Sequence, residues 1–501
     1  MKGKWVLIIL GILAVFAIVS IAGNAKTIYV GPSEKYTSIQ SAIDNATDGD
    51  TIIVRDGVYY ENIKVTKRLT IKSENGSDNC IIDGGDRNRG NVITLKADGI
   101  TIEGFTIRNS GWYIHNAGIK VLSNSNIIRY NKILNNDGRG IDICGPYHNG
   151  SSNNIIEYNE ISNNWDGIYI ESSGNNIIRY NNISNNCENG IDIWGLNSND
   201  VIAYNYISDN GNSGILLSYA SGIIVINNTM YNDSINIDGD KPCNWKTHTI
   251  ENNTVNNKPL YYFKNKNGGK VPEDAGKVIL GNCKGMVIEN LKISNVDRGI
   301  EIGFSSQNII RNNSISNNSG NGIRLLFSHN NNITFNSILN NCGSGISLYE
   351  SDNNYIHFNS ISSNAKCGIS LHESDNNIIM YNNIQSNGKM GIFLQWHSCR
   401  NRITYNSISN NKLGIYLEDY SSENYIKRNN FIDNRYQAFF GCSSPNHWRC
   451  NYWDNWKIAL PRPIFGLEEI ILIENECPVI ALPIPWVNFD WFPAMRPYSI
   501  D

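Results

Sequence analysis

Apolar positions along this chain recur in a short, regular rhythm. A Gly-Ile pair stands at Gly118, Gly140, Gly167, Gly190 and Gly214, then at Gly299, Gly322, Gly345, Gly368, Gly391 and Gly414. The last six pairs are each 23 residues apart. One unit reads Gly345-Ile346-Ser347-Leu348, a polar turn, then Asn354-Tyr355-Ile356-His357-Phe358-Asn359-Ser360-Ile361. Short β-branched runs with period-two alternation, separated by Gly, Asn, Ser and Asp, predict strands joined by tight turns. A fixed period of this length means a solenoid. Leucine-rich repeats share the length, but these units lack the runs of Ala, Leu, Glu and Lys that a helical side needs. Three strands and three turns per unit make one coil of a parallel β-helix, with coils stacked about 4.8 Å apart. The residues one and three after each Gly point inward as aliphatic ladders.

Two further columns accompany the glycines. Asn recurs at Asn131, Asn159, Asn181, Asn205, Asn228 and Asn253, then at Asn313, Asn336, Asn359, Asn382, Asn406 and Asn429. Asn tolerates the left-handed backbone of a tight corner, and its amide can bond the same amide one coil away. Immediately before it stand Tyr130, Tyr158, Tyr180 and Tyr204, then Phe335, Phe358, Tyr381 and Tyr405, a column of stacked rings. Both columns are scaffold. The expected fold is all-β, a parallel β-helix of about 15 coils, roughly 22–24 residues each.

The rhythm also divides the chain. Residues 26–110 hold an N-terminal cap and the first coils, with helical spacing over 38–46. Repeats fill 111–232 and 277–434. Between them 233–276, with Pro242, Pro259 and Pro272, reads as a long loop leaving the rod. Residues 435–501, rich in Trp and Pro, form an irregular C-terminal cap. Segment 1–25 carries Lys2 and Lys4 before an apolar run from Trp5 to Ala22, the pattern of a secretory signal or an uncleaved anchor. The expectation is therefore an exported protein, extracellular or at the cell surface, touching a membrane only through that segment.

Composition narrows the function. Of 501 residues only 18% are charged, against about 25% in a typical soluble protein. The net charge of −4 argues against a nucleic-acid partner. Hydrophobics at 41% and aromatics at 10% exclude disorder. Abundant Asn, Ser, Tyr and Trp suit neutral, hydroxyl-rich ligands. The 11 cysteines include no CxxC pair; Cys442 with Cys450 is the expected disulfide, and Cys342 and Cys367 lie one repeat apart.

The 23-residue Gly-Ile/Asn-x-Ile units resemble right-handed parallel β-helix repeats of the pectin-lyase-like superfamily, in its NosD-like, carbohydrate-binding and sugar hydrolysis branch common among archaeal secreted surface proteins. The stretches Tyr36–Gln40, Gly49–Val54 and Gly57–Asn62 are similar to the entry of such helices, Asn257–Tyr262 with Val271–Gly276 to the NosD-like interruption, and Asn451-Tyr452-Trp453-Asp454 to its closing motif. The resemblance implies the right-handed fold and leaves the chemistry open, because one fold hosts many activities. The paired-Asp and His-Gly motifs of polygalacturonases, the esterase Asp-Phe-x-Phe-Gly pattern and the epimerase Asp-Pro-His-Asp motif are absent. NosD relatives serve copper-enzyme maturation, but the eight His and six Met here do not cluster, which argues against copper.

Two sites stand out. Residues two and four after Gly point outward and place Asp142, Glu171 and Asp192 on one face as candidate catalytic groups. Asp142 and Asp192 are two coils apart, about 10 Å, with Glu171 between them. Tyr169, Trp194, Lys120 and His148 are the substrate-binding candidates around them, and a lengthened coil over 145–150 walls the groove. The second site is Glu350, Asp352, Glu373 and Asp375 in one turn of adjacent coils, where a Ca²⁺ would relieve stacked like charge; the alternative is simple turn capping. No cofactor is otherwise implied. The leading expectation is recognition of a polysaccharide or glycoconjugate through the outer face. The alternatives are a polysaccharide lyase or glycoside hydrolase, and a structural envelope or adhesin rod or a NosD-like copper accessory.

Overall fold

The computed structural model describes residues 25–85, 90–113, 115–145, 150–195, 199–474 and 477–500, omitting the side chains of 469–483. The apolar segment 1–24 lies outside them, and no helix among the described residues is long and apolar enough to cross a membrane.

The chain winds through three faces, and strands on each face pair in parallel with those one coil away. In the first stack one face runs from Thr27–Val30 to Thr249–Glu251 in ten strands, and a second from Ile63–Val65 to Ile235–Asp238 in eight. In the second stack one face runs from Asn267–Lys270 to His447–Arg449 in nine strands. The solenoid has about 19 turns rather than 15, because the entry coils, the interruption and the segment after 434 all contribute strands. Inward ladders such as Ile141, Ile168, Ile191 and Ile215 are fully buried, each contributing roughly 2 kcal/mol. The helix Ile39–Asn45 covers the open N-terminal end; Ser38 caps it, and Ile39, Ala42 and Ile43 face the first coil.

The Asn column is a continuous ladder. Asn359 donates its backbone N–H and Nδ2 to Asn382 Oδ1, each at 3.0 Å, and a second Nδ2 bond to Ile333 O at 2.8 Å. Two more ladders turn the other corners, Asn136–Asn164–Asn186–Asn210 and Asn126–Asn154–Asn176 among them. The left-handed residue is not the ladder Asn but the one before it: Tyr130, Tyr158, Tyr180 and Tyr204 have φ of 56–58°. Their rings stack at 5.0–5.2 Å, which offsets an unfavourable backbone region for a bulky residue.

Residues 233–276 are not an emergent loop. Pro242–Lys246 is a short helix, and Thr249–Glu251 and Thr254–Val255 complete the last coil of the first stack. Asn256 and Asn257, at φ 50° and 64°, then form a two-residue turn, and Lys258–Lys264 runs back antiparallel to Thr254–Val255. Asn-Asn satisfies the demand of this turn for two left-handed residues. Lys258–Lys264 pairs in parallel with Lys277–Gly281, so the second stack begins with its strand direction reversed.

The reversal builds a seam. Lys277, Ile279 and Glu301 alternate with inward Val278, Leu280, Ile300 and Ile302, which puts them on the outer face of the second stack. They are nonetheless fully buried, because the last coil of the first stack covers them. The sheet edge at Ile235–Asp238 has no further strand, and side chains finish it. Glu301 Oε2 accepts from Ile237 N at 3.2 Å, and Asp297 Oδ2 from Gly214 N at 3.2 Å. Asp238 pairs with Arg298 at 3.1 Å and with Arg324.

Beyond 434 the coils continue through Tyr436–Gly441, His447–Arg449 and Tyr452–Trp453, and a hairpin of Arg462–Glu474 and Cys477–Asp490 closes the end. Cys450, Cys342 and Cys367 carry free thiols, so neither expected cysteine pairing forms. Cys367 has Ser344, not Cys342, as its neighbour one coil away, and Cys442 and Cys450 lie at different corners of one coil.

Candidate functional site

Parallel register sets Lys120, Asp142, Tyr169, Asp192, Leu216 and Asn236 side by side on the outer face of the eight-stranded sheet. Tyr169, not Glu171, stands between the two aspartates; Glu171 lies one column along, between Cys144 and Trp194. The difference is one step of strand alternation, since Glu171 is two residues beyond Tyr169.

The Asp142 end is closed to solvent. Asp142 is fully buried, and its Oδ2 receives Lys120 Nζ at 2.6 Å and Arg139 Nη1 at 3.0 Å. Arg139 also reaches Asp166 at 3.6 Å and lies 3.3 Å from the centre of the Tyr169 ring. The pairing holds two cations against two carboxylates in a dry site, where breaking one pair is expensive. Lys120 is therefore committed to Asp142, and Arg139, which sequence reasoning missed, organises the cluster. Burial pushes the Cys144 thiol and the Tyr169 phenol up.

Asp192 is the carboxylate without a cation of its own. Burial, then the charge of Asp166, raises its pKa to about 7. Its Oδ1 has no hydrogen-bond partner among the described residues. A carboxyl that carries its proton near neutrality can donate it, the property a general acid requires. His148 lies outside the described residues.

Next to Asp192 the surface opens. Trp194 and Tyr219 are 43% and 44% exposed, with ring centres 6.1 Å apart at 64°. With Ser172, Asp240, Lys241 and Asn244 they line a pocket of about 410 Å³. Asp240 and Lys241 come from the turn that leads into the helix Pro242–Lys246, so the end of the first stack forms one wall of this pocket.

The second predicted cluster lies across that corner. Burial raises the Glu350 carboxyl, and repulsion from Glu373 and Asp240 adds to it. Asp352 Oδ1 accepts from Asp375 N at 2.7 Å and its Oδ2 lies 3.6 Å from His329 Nδ1; Asp375 Oδ1 accepts from Cys399 N at 2.8 Å and its Oδ2 meets Arg400 Nη2 at 2.6 Å. Asp352 and Asp375 thus cap turns, while Glu350 and Glu373 face one another. Among the described residues no group of three or more His, Cys, Asp or Glu is arranged to hold a metal ion. A ring series continues along this edge: Phe304 on Phe327 at 4.7 Å, Tyr349 on His372 at 4.6 Å, and His372 near Trp396 at 6.0 Å.

Stacked parallel coils, Asn-laddered corners and an open outer face define a right-handed parallel β-helix protein. A family model described as right handed beta helix region matches residues 273–401 and 343–458, and one described as periplasmic copper-binding protein (NosD) matches residues 43–262. Over these residues the chain is similar to right-handed β-helix repeats and to NosD, in agreement with the stacked parallel coils described above. A cell surface glycoprotein of Methanothermus fervidus is 41% identical over 128 residues, 25% of this chain. The match spans 21% of that relative's length. Similar solved structures include pectate lyase Pel9A, 16% identical with a TM-score of 0.36 over 47% of this chain and 78% of that one. The alginate lyase from Paenibacillus sp. str. FPU-7 is 17% identical, with a TM-score of 0.32 over 66% of this chain and 97% of that one.

Proposed function

We propose that this is an exported, cell-surface β-helix that binds a carbohydrate or glycoconjugate at the corner between its two stacks. The observation that carries the reading is the Trp194–Tyr219 pocket: two exposed rings at an angle, with the charged residues Asp240 and Lys241 beside them. Rings offer apolar faces to sugar C–H groups, and amide and charged groups fix hydroxyls. Similarity to a cell surface glycoprotein supports the location. Ca²⁺ between Glu350 and Glu373 belongs to the same proposal, as a bridge from the corner to an acidic ligand.

A lyase or glycosidase reading has one feature in its favour, Asp192 beside this pocket, its carboxyl pKa raised by burial to about 7. A glycan array probed with residues 25–501, with and without Ca²⁺, separates the two. Binding that Trp194→Ala weakens at least tenfold, with no new reducing ends or unsaturated products, supports recognition. Cleavage abolished in Asp192→Asn makes the protein an enzyme. Binding unaffected by Trp194→Ala removes the corner from the proposal.

A further inference from the structure

A second trough lies far from that corner, on the outer face of the nine-stranded sheet over its last coils. Arg402, Tyr425 and His447 are neighbours in one column of that sheet, and Thr404, Lys427 and Arg449 in the next. Two cavities of about 750 and 420 Å³ meet here and share Tyr425, Lys427 and His447. The closing hairpin ends the trough with Phe489 and Trp491.

The charge is one-sided. In a chain of net charge −4, this surface gathers Arg400, Arg402, Lys427 and Arg449. Arg400 is matched by Asp375 at 2.6 Å and lies 3.9 Å from Glu423. Arg402, Lys427 and Arg449 have no carboxylate partner among the described residues; Arg449 lies over the Phe492 ring at 5.1 Å. Cations on adjacent strands repel, so the arrangement costs stability that a bound anion would return. Tyr425 and His447 stack at 4.6 Å and present a ring platform between the cations.

We infer that this trough binds an anionic saccharide, one carrying sulfate esters or uronate carboxylates. Guanidinium forks at Arg402 and Arg449 suit planar carboxylate and tetrahedral sulfate oxygens alike. The Lys427 ammonium lies between them, and the stacked Tyr425 and His447 side chains line the trough beside it. Coil spacing of about 4.8 Å places successive cations one strand apart, so a chain lying across the strands meets a charge at each step. A nucleic acid fits less well: three unpaired cations can meet about three phosphates, well short of the roughly 6–10 phosphate contacts from which nucleic-acid binders draw their affinity.

The test is affinity electrophoresis of residues 25–501 through gels containing dextran sulfate, polygalacturonate or plain dextran, followed by calorimetric titration with whichever polymer retards. The expected result is retardation by one or both anionic polymers and none by dextran. The arm that responds identifies sulfate or carboxylate as the recognised group. Arg402→Gln with Lys427→Gln should weaken binding at least tenfold with a melting temperature equal to the parent's or higher, because neither side chain carries a structural contact and their mutual repulsion is relieved. Trp194→Ala should leave this binding intact, so it succeeds or fails independently of the corner pocket. Equal binding by the double variant, retardation by dextran, silence in both anionic gels, or equally tight binding of a thymidine 20-mer would each overturn the inference.

Discussion

Asp297 Oδ2 accepts from the Ser234 amide at 2.8 Å and from the Ser234 hydroxyl at 3.0 Å, joining residues 63 apart across the seam. Asp233, the residue before Ser234, ends one Asn ladder by accepting Asn210 Nδ2 at 2.7 Å. Both aspartates leave Oδ1 buried without a hydrogen-bond partner among the described residues. Each carboxyl is raised well above its ordinary range, by burial in both and in Asp233 also by the charge of Asp297. One proton shared between the two carboxyls would relieve the repulsion.

A raised acid contributes stability that is full below the unfolded value near 4 and lost as pH rises through the folded value. The seam should therefore weaken above neutrality, where both aspartates ionise. Asp233→Asn keeps the acceptor for Asn210 and supplies an N–H toward Asp297. Melting curves between pH 5 and pH 9 should show the variant losing less stability than the parent on the alkaline side; parallel curves would refute the shared proton.

Asp192 follows the same sign with its own window, between about 4 and about 7. Asp192→Asn should stabilise the protein above pH 7 and change little at pH 4. The ceiling is about 4 kcal/mol, from three pKa units at about 1.36 kcal/mol each. Urea denaturation at the two pH values reads the difference.

Asp142→Ala strands Lys120 and Arg139 without their shared carboxylate. Loss of one partner of a buried pair costs about 3–5 kcal/mol. Asp142→Asn, which keeps an acceptor but not the charge, should cost less. Equal unfolding midpoints for parent and Asp142→Ala would mean the cluster carries no structural weight.

Asn359→Ala removes an acceptor used twice by Asn336, at 3.0 Å each, and leaves Ile333 O without its Nδ2 donor. At about 1–3 kcal/mol per orphaned buried group, a loss of at least ~3 kcal/mol is expected in denaturant titration. Asn359→Asp, which places a carboxylate oxygen against Ile333 O, should be at least as damaging.

Tyr158 separates two terms. Its φ of 57° suits Asn far better than Ala, and its ring stacks at 5.2 and 5.0 Å on its neighbours. Tyr158→Asn should be less destabilised than Tyr158→Ala although both lose the stack. If Ala proves the more stable, backbone strain does not govern this corner.

Much of the scaffold was legible because its rules are local to one coil. The Gly-Ile spacing gave the coil, the Asn column gave a real ladder, and the Tyr and Phe column gave the stacked rings. Two other ladders are less legible although Asn136, Asn164 and Asn186 keep the same period, since no aromatic column beside them marks the corner. The site was less legible. Asp142 and Asp192 were correctly placed on one outer face, but alternation says only which way a side chain points. It cannot say that Arg139, at the start of the same strand, folds over that face and buries Asp142.

The sequence by itself determined the repeat: its period, the inward ladders, the capped N-terminal helix and the aromatic and amide columns follow from contacts between residues roughly one coil apart. Tertiary structure decided everything that joins distant coils. Asn256-Asn257 reads in sequence as part of a loop, yet in the fold it reverses the strands and sets Glu301 and Asp297 against the sheet edge at Ile235–Asp238. A strand edge accepts any chain that satisfies its amides, so which side chains finish it depends on where the second stack lies. The basic trough has the same origin: Arg402, Lys427 and Arg449 are scattered charges along the chain, and become one surface only when three coils are stacked.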